Sequence, residues 1–300
     1  MQKFKSGFVS IVGRTNVGKS TLVNTLAGQK VAITANKSQT TRTAIRAIIN
    51  RENSQIIFID TPGVHKPKTK LGDTMLETVW TSVPNSDVTL FVVDATNKKI
   101  GTGDKIILDK IKELKQKTIL IINKIDLIEK EKLFEIIDNY KNEYNFEAII
   151  PVSSTDGENT EEILKEIEKL LPEGPAYYDI DEYTDQTGRQ IVEEIIREKA
   201  LKLLDEEIPH GIYVETQKMK LRKTARNEEI YDIDAIIYAL RESHKGIIIG
   251  KGGAKLKQIG TFARQDLERI FGTKVNLKIW VKVKENWQDN SSIVSKFKLK

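Results

Sequence analysis

The stretch Phe8–Thr21, FVSIVGRTNVGKST, decides the fold of the first half of this 300-residue chain. Its apolar run, Phe8–Val12, predicts a buried strand that ends at Gly13. The next eight residues, Gly13-Arg14-Thr15-Asn16-Val17-Gly18-Lys19-Ser20, fit the pattern G-x-x-x-x-G-K-[ST] at every fixed position. Backbone N–H groups of such a loop surround a phosphate chain, and a helix opening at Ser20-Thr21 adds its positive end. We therefore expect phosphate binding here, with Lys19 on the β and γ oxygens and Ser20 on Mg²⁺.

Composition sets the class of protein. The length favours two domains, and 39% hydrophobic with 30% charged residues is typical of a globular chain with a core. There is no cysteine, which excludes disulfides and thiolate metal sites, and three dispersed histidines make a histidine-built metal cage improbable. No apolar run approaches the ~18 residues of a membrane span.

A second motif follows the predicted strand Gln55–Ile59. Asp60-Thr61-Pro62-Gly63 fits D-x-x-G, which is a weak pattern alone but a strong one behind a phosphate loop. Asp60 is expected to hold Mg²⁺ through water, and the Gly63 amide to meet a γ-phosphate. A Pro-Gly turn with a capping aspartate is the alternative interpretation.

A third motif is the most specific of the three, because it distinguishes guanine from adenine. The predicted strand Thr118–Ile122 delivers Asn123-Lys124-Ile125-Asp126, which fits N-K-x-D. A carboxylate at Asp126 can accept two N–H bonds from guanine, whereas adenine offers an acceptor there. Asn123 and the stem of Lys124 can support the base, and Ser153-Ser154-Thr155, after the predicted strand Ala148–Val152, can approach it.

Taken in order, these motifs resemble the translation-factor class of P-loop GTPases. The resemblance implies a doubly wound α/β domain with nucleotide at the carboxyl ends of a mostly parallel sheet. It also implies that Thr41, or less favourably Thr40, in the polar loop 35–43 closes on Mg²⁺ and the γ-phosphate. Lys19, Thr41, Asn16 and Gly63 are the candidate catalytic residues.

Two positions depart from related GTPases. Val64 stands where a water-positioning glutamine occurs in Ras-like proteins, so intrinsic hydrolysis is expected to be slow or to borrow another group. In related GTPases an asparagine at the place of Asn16 accompanies an activating K⁺ ion, which we carry over as a hypothesis. Ser154 replaces the usual alanine, and guanine contact is expected to survive.

The second half predicts a smaller α/β unit. An acidic, aperiodic stretch follows Pro172-Glu173-Gly174-Pro175 and favours a linker over 173–186, between a GTP-binding domain at 1–172 and a second domain at 187–300. The order of predicted elements there is helix, strand, strand, helix, helix, strand. Gly250-Lys251-Gly252-Gly253 joins the two later helices, and Val275–Val283 is the last strand. Trp280 alternates with charged neighbours in that strand, so packing in the core or at an edge is expected rather than base stacking.

This arrangement resembles a type II KH domain, whose G-x-x-G loop clamps single-stranded nucleic acid. From Lys251 onward there are twelve basic and four acidic residues, and such a surface suits phosphate binding. A solvated helix with a left-handed turn is the alternative. The candidate RNA-binding residues are Gly250, Lys251, Gly252, Gly253, Lys255, Lys257 and Arg264.

Both halves together resemble the bacterial Era GTPase family over nearly the whole chain. The resemblance implies a GTP-hydrolysing switch that binds single-stranded RNA near the 3′ end of 16S rRNA during maturation of the 30S ribosomal subunit. It implies Mg²⁺ as cofactor, with Ser20, Thr41 and Asp60 as ligands. A cytoplasmic monomer is expected, with loose association at the inner face of the membrane, for which the sequence offers only a basic tail.

Two other classes stay open from the residues alone. A metabolic P-loop kinase would transfer the γ-phosphate to a small acceptor, but N-K-x-D and the absence of an Arg-rich lid region argue against it. An RNA-binding protein with a vestigial nucleotide site is opposed by the intact Lys19, Ser20, Asp60 and Asp126.

Overall fold

The computed structural model describes residues 3–35, 37, 40–97, 99–205 and 208–298. Contacts divide it into two units, which are described separately. The first comprises Met1–Thr34, Thr41–Asp185 and Ser295–Lys300, and the second comprises Ala35–Thr40 and Gln186–Val294. Asn36, Ser38 and Gln39 of the expected switch loop lie outside the described residues.

The first unit is built on a six-stranded sheet of order β2-β3-β1-β4-β5-β6. Only β2 runs antiparallel to its neighbour. The strands are β1 (Lys5–Val12), β2 (Ile45–Arg51), β3 (Ser54–Asp60), β4 (Val88–Asp94), β5 (Thr118–Asn123) and β6 (Ala148–Val152). The helices are α1 (Lys19–Ala27), α2 (Lys70–Ser82), α3 (Thr102–Leu114), α4 (Lys130–Lys141) and α5 (Thr160–Leu170).

The strand sequences explain this architecture. Every residue of β3 and of β5 is buried, as expected for parallel strands covered by helices on both faces. Two apolar clusters result: one includes Leu22 and Ile163, and the other includes Val79 and Ile107. Because the five parallel strands share one direction, their carboxyl ends bring the three sequence motifs to one edge. The predicted doubly wound α/β fold is confirmed.

The second unit has a three-stranded sheet of order β7-β8-β9, with β7 antiparallel and β9 parallel to β8. Its strands are β7 (Tyr213–Lys223), β8 (Glu229–Ala239) and β9 (Lys274–Val283). Its helices are α6 (Gly188–Leu203), α7 (Glu242–Ile249), α8 (Ala254–Phe271) and the short α9 (Ser291–Val294). Apolar residues of α6 and α8, such as Ile196 and Leu267, pack on one face of the sheet.

Two segments can be compared with the expectations for them. Residues 173–185, for which the sequence predicts a linker, pack on the first unit: Gln55 Oε1 accepts bonds from the backbone N–H groups of Tyr177 and Tyr178 at 2.7 and 3.0 Å. Trp280, expected in the core or at an edge, lies on the edge strand β9 and is 46% exposed. It is not in the core because alternation along β9 places it among charged residues on the face opposite the helices.

Candidate nucleotide and RNA-binding sites

The loop Gly13–Ser20 joins β1 to α1 at the carboxyl edge of the sheet. Two of its residues have positive φ, Asn16 at 64° and Gly18 at 97°. Gly18 is required by space as well as by conformation, since a Cβ there would lie 2.2 Å from Asn123 Nδ2. The loop therefore has a fixed shape that depends on a residue from the base-recognition motif.

Lys19 is buried at the centre of this loop. Its Nζ donates to the carbonyl oxygens of Gly13 and Arg14 at 3.1 and 2.8 Å. Burial lowers the pKa of Lys19 to about 8, although the carboxylate of Asp60 raises it in part. A buried ammonium held only by carbonyl oxygens is poised to bind the stronger negative charge of a phosphate.

Three oxygen side chains predicted to hold Mg²⁺ converge beside the loop. Ser20 Oγ donates to Asp60 Oδ2 at 2.7 Å and lies 2.8 Å from Thr41 Oγ1, which is 3.4 Å from the same carboxylate oxygen. Thr40 points elsewhere, because its hydroxyl donates to the carbonyls of Ala35 and Lys37. Hydroxyl and carboxylate oxygens are the hard donors that Mg²⁺ prefers, so this set fits the ion.

The D-x-x-G segment lies directly against the loop. A Cβ on Gly63 would approach Thr15 Cα to 2.7 Å, so only glycine fits there. The next residue, Val64, donates its backbone N–H to Gly13 O at 3.1 Å, and its side chain is buried in the apolar cluster around Val79. Valine therefore offers no polar group to a hydrolytic water, as the sequence predicts.

Asn123, predicted to anchor the base, ties two loops together. It is 1% exposed, and its Nδ2 donates to Val17 O at 2.8 Å. Its Oδ1 accepts from Ser154 N at 3.0 Å and from Ser154 Oγ at 2.7 Å. Ser154 is the residue that departs from the family pattern, and its hydroxyl thus adds a hydrogen bond to Asn123.

Lys124 and Asp126 complete this part of the site. Lys124 has φ of 68°, and its Nζ donates to Asn16 O at 2.7 Å and to Asp94 Oδ2 at 2.5 Å. Asp126 is exposed, which leaves its carboxylate accessible to a ligand. Ser153 Oγ bonds to Asp156, so it shapes the turn at the end of β6.

Two acidic residues of the site were missed by sequence reasoning. Asp94, at the end of β4, orients Lys124; burial opposes its ionisation, yet bonds from Lys124 and Thr96 outweigh burial and lower its pKa. Asp104, in the first turn of α3, accepts from Arg14 Nε at 2.9 Å and is 1% exposed. Burial raises the pKa of Asp104, against the effect of the Arg14 guanidinium. The position of Asp94 at a strand end was the one available signal.

The loop Gly250–Gly253 has the glycine geometry expected for backbone binding. Gly250, Gly252 and Gly253 have φ of 73°, 59° and 80°. A groove of about 430 Å³ beside it is lined by Gly250, Lys251, Ala254, Lys255, Lys257, Gln258, Thr261 and Phe262.

The candidate RNA-binding residues differ in their placement at this groove. Lys251 and Lys257 are exposed, whereas Lys255 Nζ is bonded to Leu203 O at 3.0 Å. Arg264 does not line the groove and lies 3.9 Å from Glu268. Phe262, 43% exposed at the groove, was not predicted.

Family models match parts of both units. The model described as 50S ribosome-binding GTPase matches residues 8–124, and a KH domain model matches residues 207–288. The chain is therefore a P-loop GTPase that carries a KH domain.

Full-length relatives define the family more closely. The GTPase Era of Clostridioides difficile is 51% identical over 98% of both chains, and that of Caldanaerobacter subterraneus is 50% identical over 98% of this chain and 97% of its own. The chain belongs to the Era GTPase family.

Two solved structures are similar over almost the whole length. One is Era in complex with MgGDPNP and nucleotides 1506–1542 of 16S ribosomal RNA, with a TM-score of 0.93, 41% identity and 98% coverage of both chains. The other is an Aquifex aeolicus Era variant bound to GDP and AlF4⁻, with a TM-score of 0.92, 41% identity and coverage of 98% of this chain and 99% of that one. No helix within the described residues is long and apolar enough to cross a membrane.

Proposed function

We propose that this chain is a magnesium-dependent GTPase switch that binds the 3′ end of 16S rRNA during maturation of the 30S ribosomal subunit. The convergence of Ser20, Thr41 and Asp60 beside Lys19 is the observation that carries the nucleotide part. The RNA part is supported by the basic groove at Gly250–Gly253 and by the RNA in the similar Era complex. We also propose domain boundaries at 1–172 and 187–300. The protein is proposed to be a monomer that is located in the cytoplasm.

Each part of the nucleotide site has a distinct role in this proposal. Lys19 and the N–H groups of the loop bind the β- and γ-phosphates, and the exposed carboxylate of Asp126 recognises guanine. Ser20, Thr41 and Asp60 hold Mg²⁺, which neutralises charge on the phosphate oxygens. Thr41 and the Gly63 amide respond to the γ-phosphate, so its loss changes the conformation of both segments.

We further propose that K⁺ near Asn16 supplies positive charge that Val64 cannot replace. Burial of the Val64 side chain supports the need for such a group, and Asn16 lies exposed on the phosphate loop. GTP turnover is expected to be faster in KCl than in NaCl, and Asn16→Ala should remove that difference. Equal rates in the two salts would refute this role.

Loose association with the inner face of the membrane stays a prediction. The basic tail is the feature that favours it, and Lys298 of that tail is ion-paired with Glu77 at 3.1 Å. Binding to anionic vesicles by a variant lacking residues 295–300 would test the contribution of the tail.

Two assays test the main proposal. Single-turnover GTP hydrolysis, with Lys19→Ala as the inactive control, tests the switch; equal inactivity of both proteins would contradict it. Binding of an RNA equivalent to nucleotides 1506–1542 tests the groove, where Lys251→Asp combined with Gly252→Asp should weaken RNA binding sharply and leave GTP binding unchanged. The charge-matched variant Lys105→Asp with Lys117→Ala, on the first unit, also lowers the net charge by three and is the control for net charge.

A further inference from the structure

The three-stranded sheet of the second unit has a face opposite α6 and α8, which we call the outer face; Trp287 packs on Tyr213 at one end of it. Helices α6 and α8 pack on the other face, through residues such as Ile233, Ala235 and Ile279. Since side chains alternate along a strand, the neighbours of these residues point outward. The outer face carries Glu215, Lys218, Lys220 and Arg222 of β7, Asp232, Asp234, Ile236 and Tyr238 of β8, and Lys274, Lys278, Trp280 and Lys282 of β9.

Trp280 is the large apolar side chain that is exposed on this face. It is 46% exposed, whereas Ile236, its register partner on β8, is 6% exposed. Nearly half of the Trp280 side chain is therefore accessible to a ligand. Lys278 and Lys282 are exposed two residues away on either side, roughly 7 Å along the strand.

The charges of the outer face are unequally paired. Asp232 is paired with Arg222 at 2.6 Å and also accepts from Asn276. Lys274 is paired with Glu228 at 2.7 Å. Within the part of the chain that the structure describes, no carboxylate forms an ion pair with the four lysines nearest the centre, which are Lys218, Lys220, Lys278 and Lys282. Their positive charge remains available to a polyanion.

We propose that the outer face is a second RNA-binding surface, separate from the groove at Gly250–Gly253. A base of a single-stranded segment stacks on Trp280, and the adjoining phosphates bind Lys278 and Lys282. The groove is lined by residues of the helical layer, which covers the opposite face of the same sheet. One RNA strand that fills the groove and continues beyond it therefore has a second site on this unit.

The composition of the surface favours RNA over a lipid membrane. An interfacial membrane site needs several apolar side chains that enter the bilayer together. Here Trp280 is exposed, whereas Ile236 beside it is buried and Ile230 and Tyr238 are half-buried, and Asp234 lies between Lys218 and Lys278 in the register. A single aromatic ring between two cations instead has the arrangement of a base-stacking platform.

The inference rests on the proposed RNA function, and the test separates the two. Binding of the full chain to the RNA equivalent to nucleotides 1506–1542 is compared with binding to a hexanucleotide from its 3′ end. A KH groove holds about four nucleotides, so the short RNA reports on the groove alone. Trp280→Ala should weaken binding of the long RNA about tenfold, the size expected for loss of one stacked base, and leave the short RNA unaffected.

Two matched variants show whether the ring and the charges act as proposed. Trp280→Phe keeps an aromatic face, so it should retain most of the affinity for the long RNA. It also shows whether the loss of long-RNA binding in Trp280→Ala reflects misfolding. Lys278→Glu with Lys282→Glu should weaken long-RNA binding and make the salt dependence shallower, by about 1.4 in the slope of log K against log salt for two phosphates. The control pair Lys105→Glu with Lys117→Glu, which lies on the first unit, should change neither.

Intrinsic fluorescence gives a direct readout of stacking. The chain has three tryptophans, so the quenching that long RNA causes in the wild-type protein but not in Trp280→Phe belongs to Trp280. Long-RNA binding unchanged in both Trp280→Ala and the lysine pair would overturn the inference. The inference would also be overturned if these variants lost binding to vesicles of anionic phospholipid while their RNA binding was unchanged, because the face would then bind a membrane. If the groove variant also bound both RNAs normally, the proposed RNA function itself would fail.

Discussion

The depressed pKa of Lys19 predicts that nucleotide binding takes up a proton at mildly alkaline pH. Burial lowers this pKa to about 8 in the protein without nucleotide, and a bound diphosphate must raise it, because the complex needs the charged ammonium. At pH 8.5 about three quarters of the molecules would then bind a proton together with MgGDP, against about one quarter at pH 7.5. The dissociation constant is therefore expected to rise about threefold between these two pH values.

Isothermal titration calorimetry measures this directly. Titrations in buffers of different ionisation enthalpy give the number of protons taken up, and they stop at pH 8.5 because the guanine ring itself loses a proton at more alkaline pH. Lys19→Met is the control, since its weaker binding should show no such pH dependence. A wild-type affinity that is constant from pH 7.5 to 8.5, with no proton uptake, would refute the reasoning.

The pH dependence of protein stability has the opposite sign to that of nucleotide affinity. The pKa of Lys19 in the folded protein lies below its ordinary value of 10.5, so the unfolded chain binds more protons between these two values. The free energy of unfolding of the empty protein should therefore gain from this group as pH rises through that window. The affinity for nucleotide falls over the same pH range, because deprotonation of Lys19 favours the empty loop over the loop that has phosphate bound.

Three further variants test contacts around the phosphate loop. Ser154→Ala removes one of two bonds to Asn123 Oδ1, so GDP affinity should fall no more than about fivefold by fluorescence titration, and a larger loss would mean a different role. Gly18→Ala places a Cβ against Asn123 at positive φ, and urea unfolding should show a loss of about 2 to 4 kcal/mol, whereas a neutral result would contradict this geometry. Asp104→Asn leaves the Arg14 guanidinium without its carboxylate and should lower the free energy of unfolding by about 1 to 3 kcal/mol; Arg14→Lys, which keeps a cation, should cost less.

The sequence predicts correctly that the three motifs lie at one edge of the sheet, because they occur at the ends of parallel strands. Strands such as β3 and β5 are continuous apolar runs, and their carboxyl ends must meet at one edge. Asp60 and Asn123 could therefore be brought together without knowledge of packing. The positions of Arg14 and Asp104 required tertiary information, since an acidic residue in the first turn of a helix has a local explanation in the helix dipole.

Other features were missed because their patterns have two interpretations. Helix α2 buries the small polar residues Thr74, Thr78 and Ser82, which weakens the apolar periodicity that would predict it. Phe262 follows Ile259 by three residues and shares its side of α8, so periodicity favours the core, yet it is exposed at the groove. For Trp280, alternation with charged neighbours favoured the core or an edge, and the same alternation places it on the outer face of the edge strand β9.

The motif Asn123–Asp126 and the phosphate loop are joined by side-chain hydrogen bonds. Asn123 is buried and bonded to Val17 and Ser154, whereas Asp126 of the same motif is exposed. Lys124 adds a bond to Asn16 O, next to Val17. Two side chains of the motif thus position the loop that binds phosphates, and the third is available to the base. In the proposed function, selection of guanine and retention of its phosphates would consequently depend on different residues of one four-residue segment.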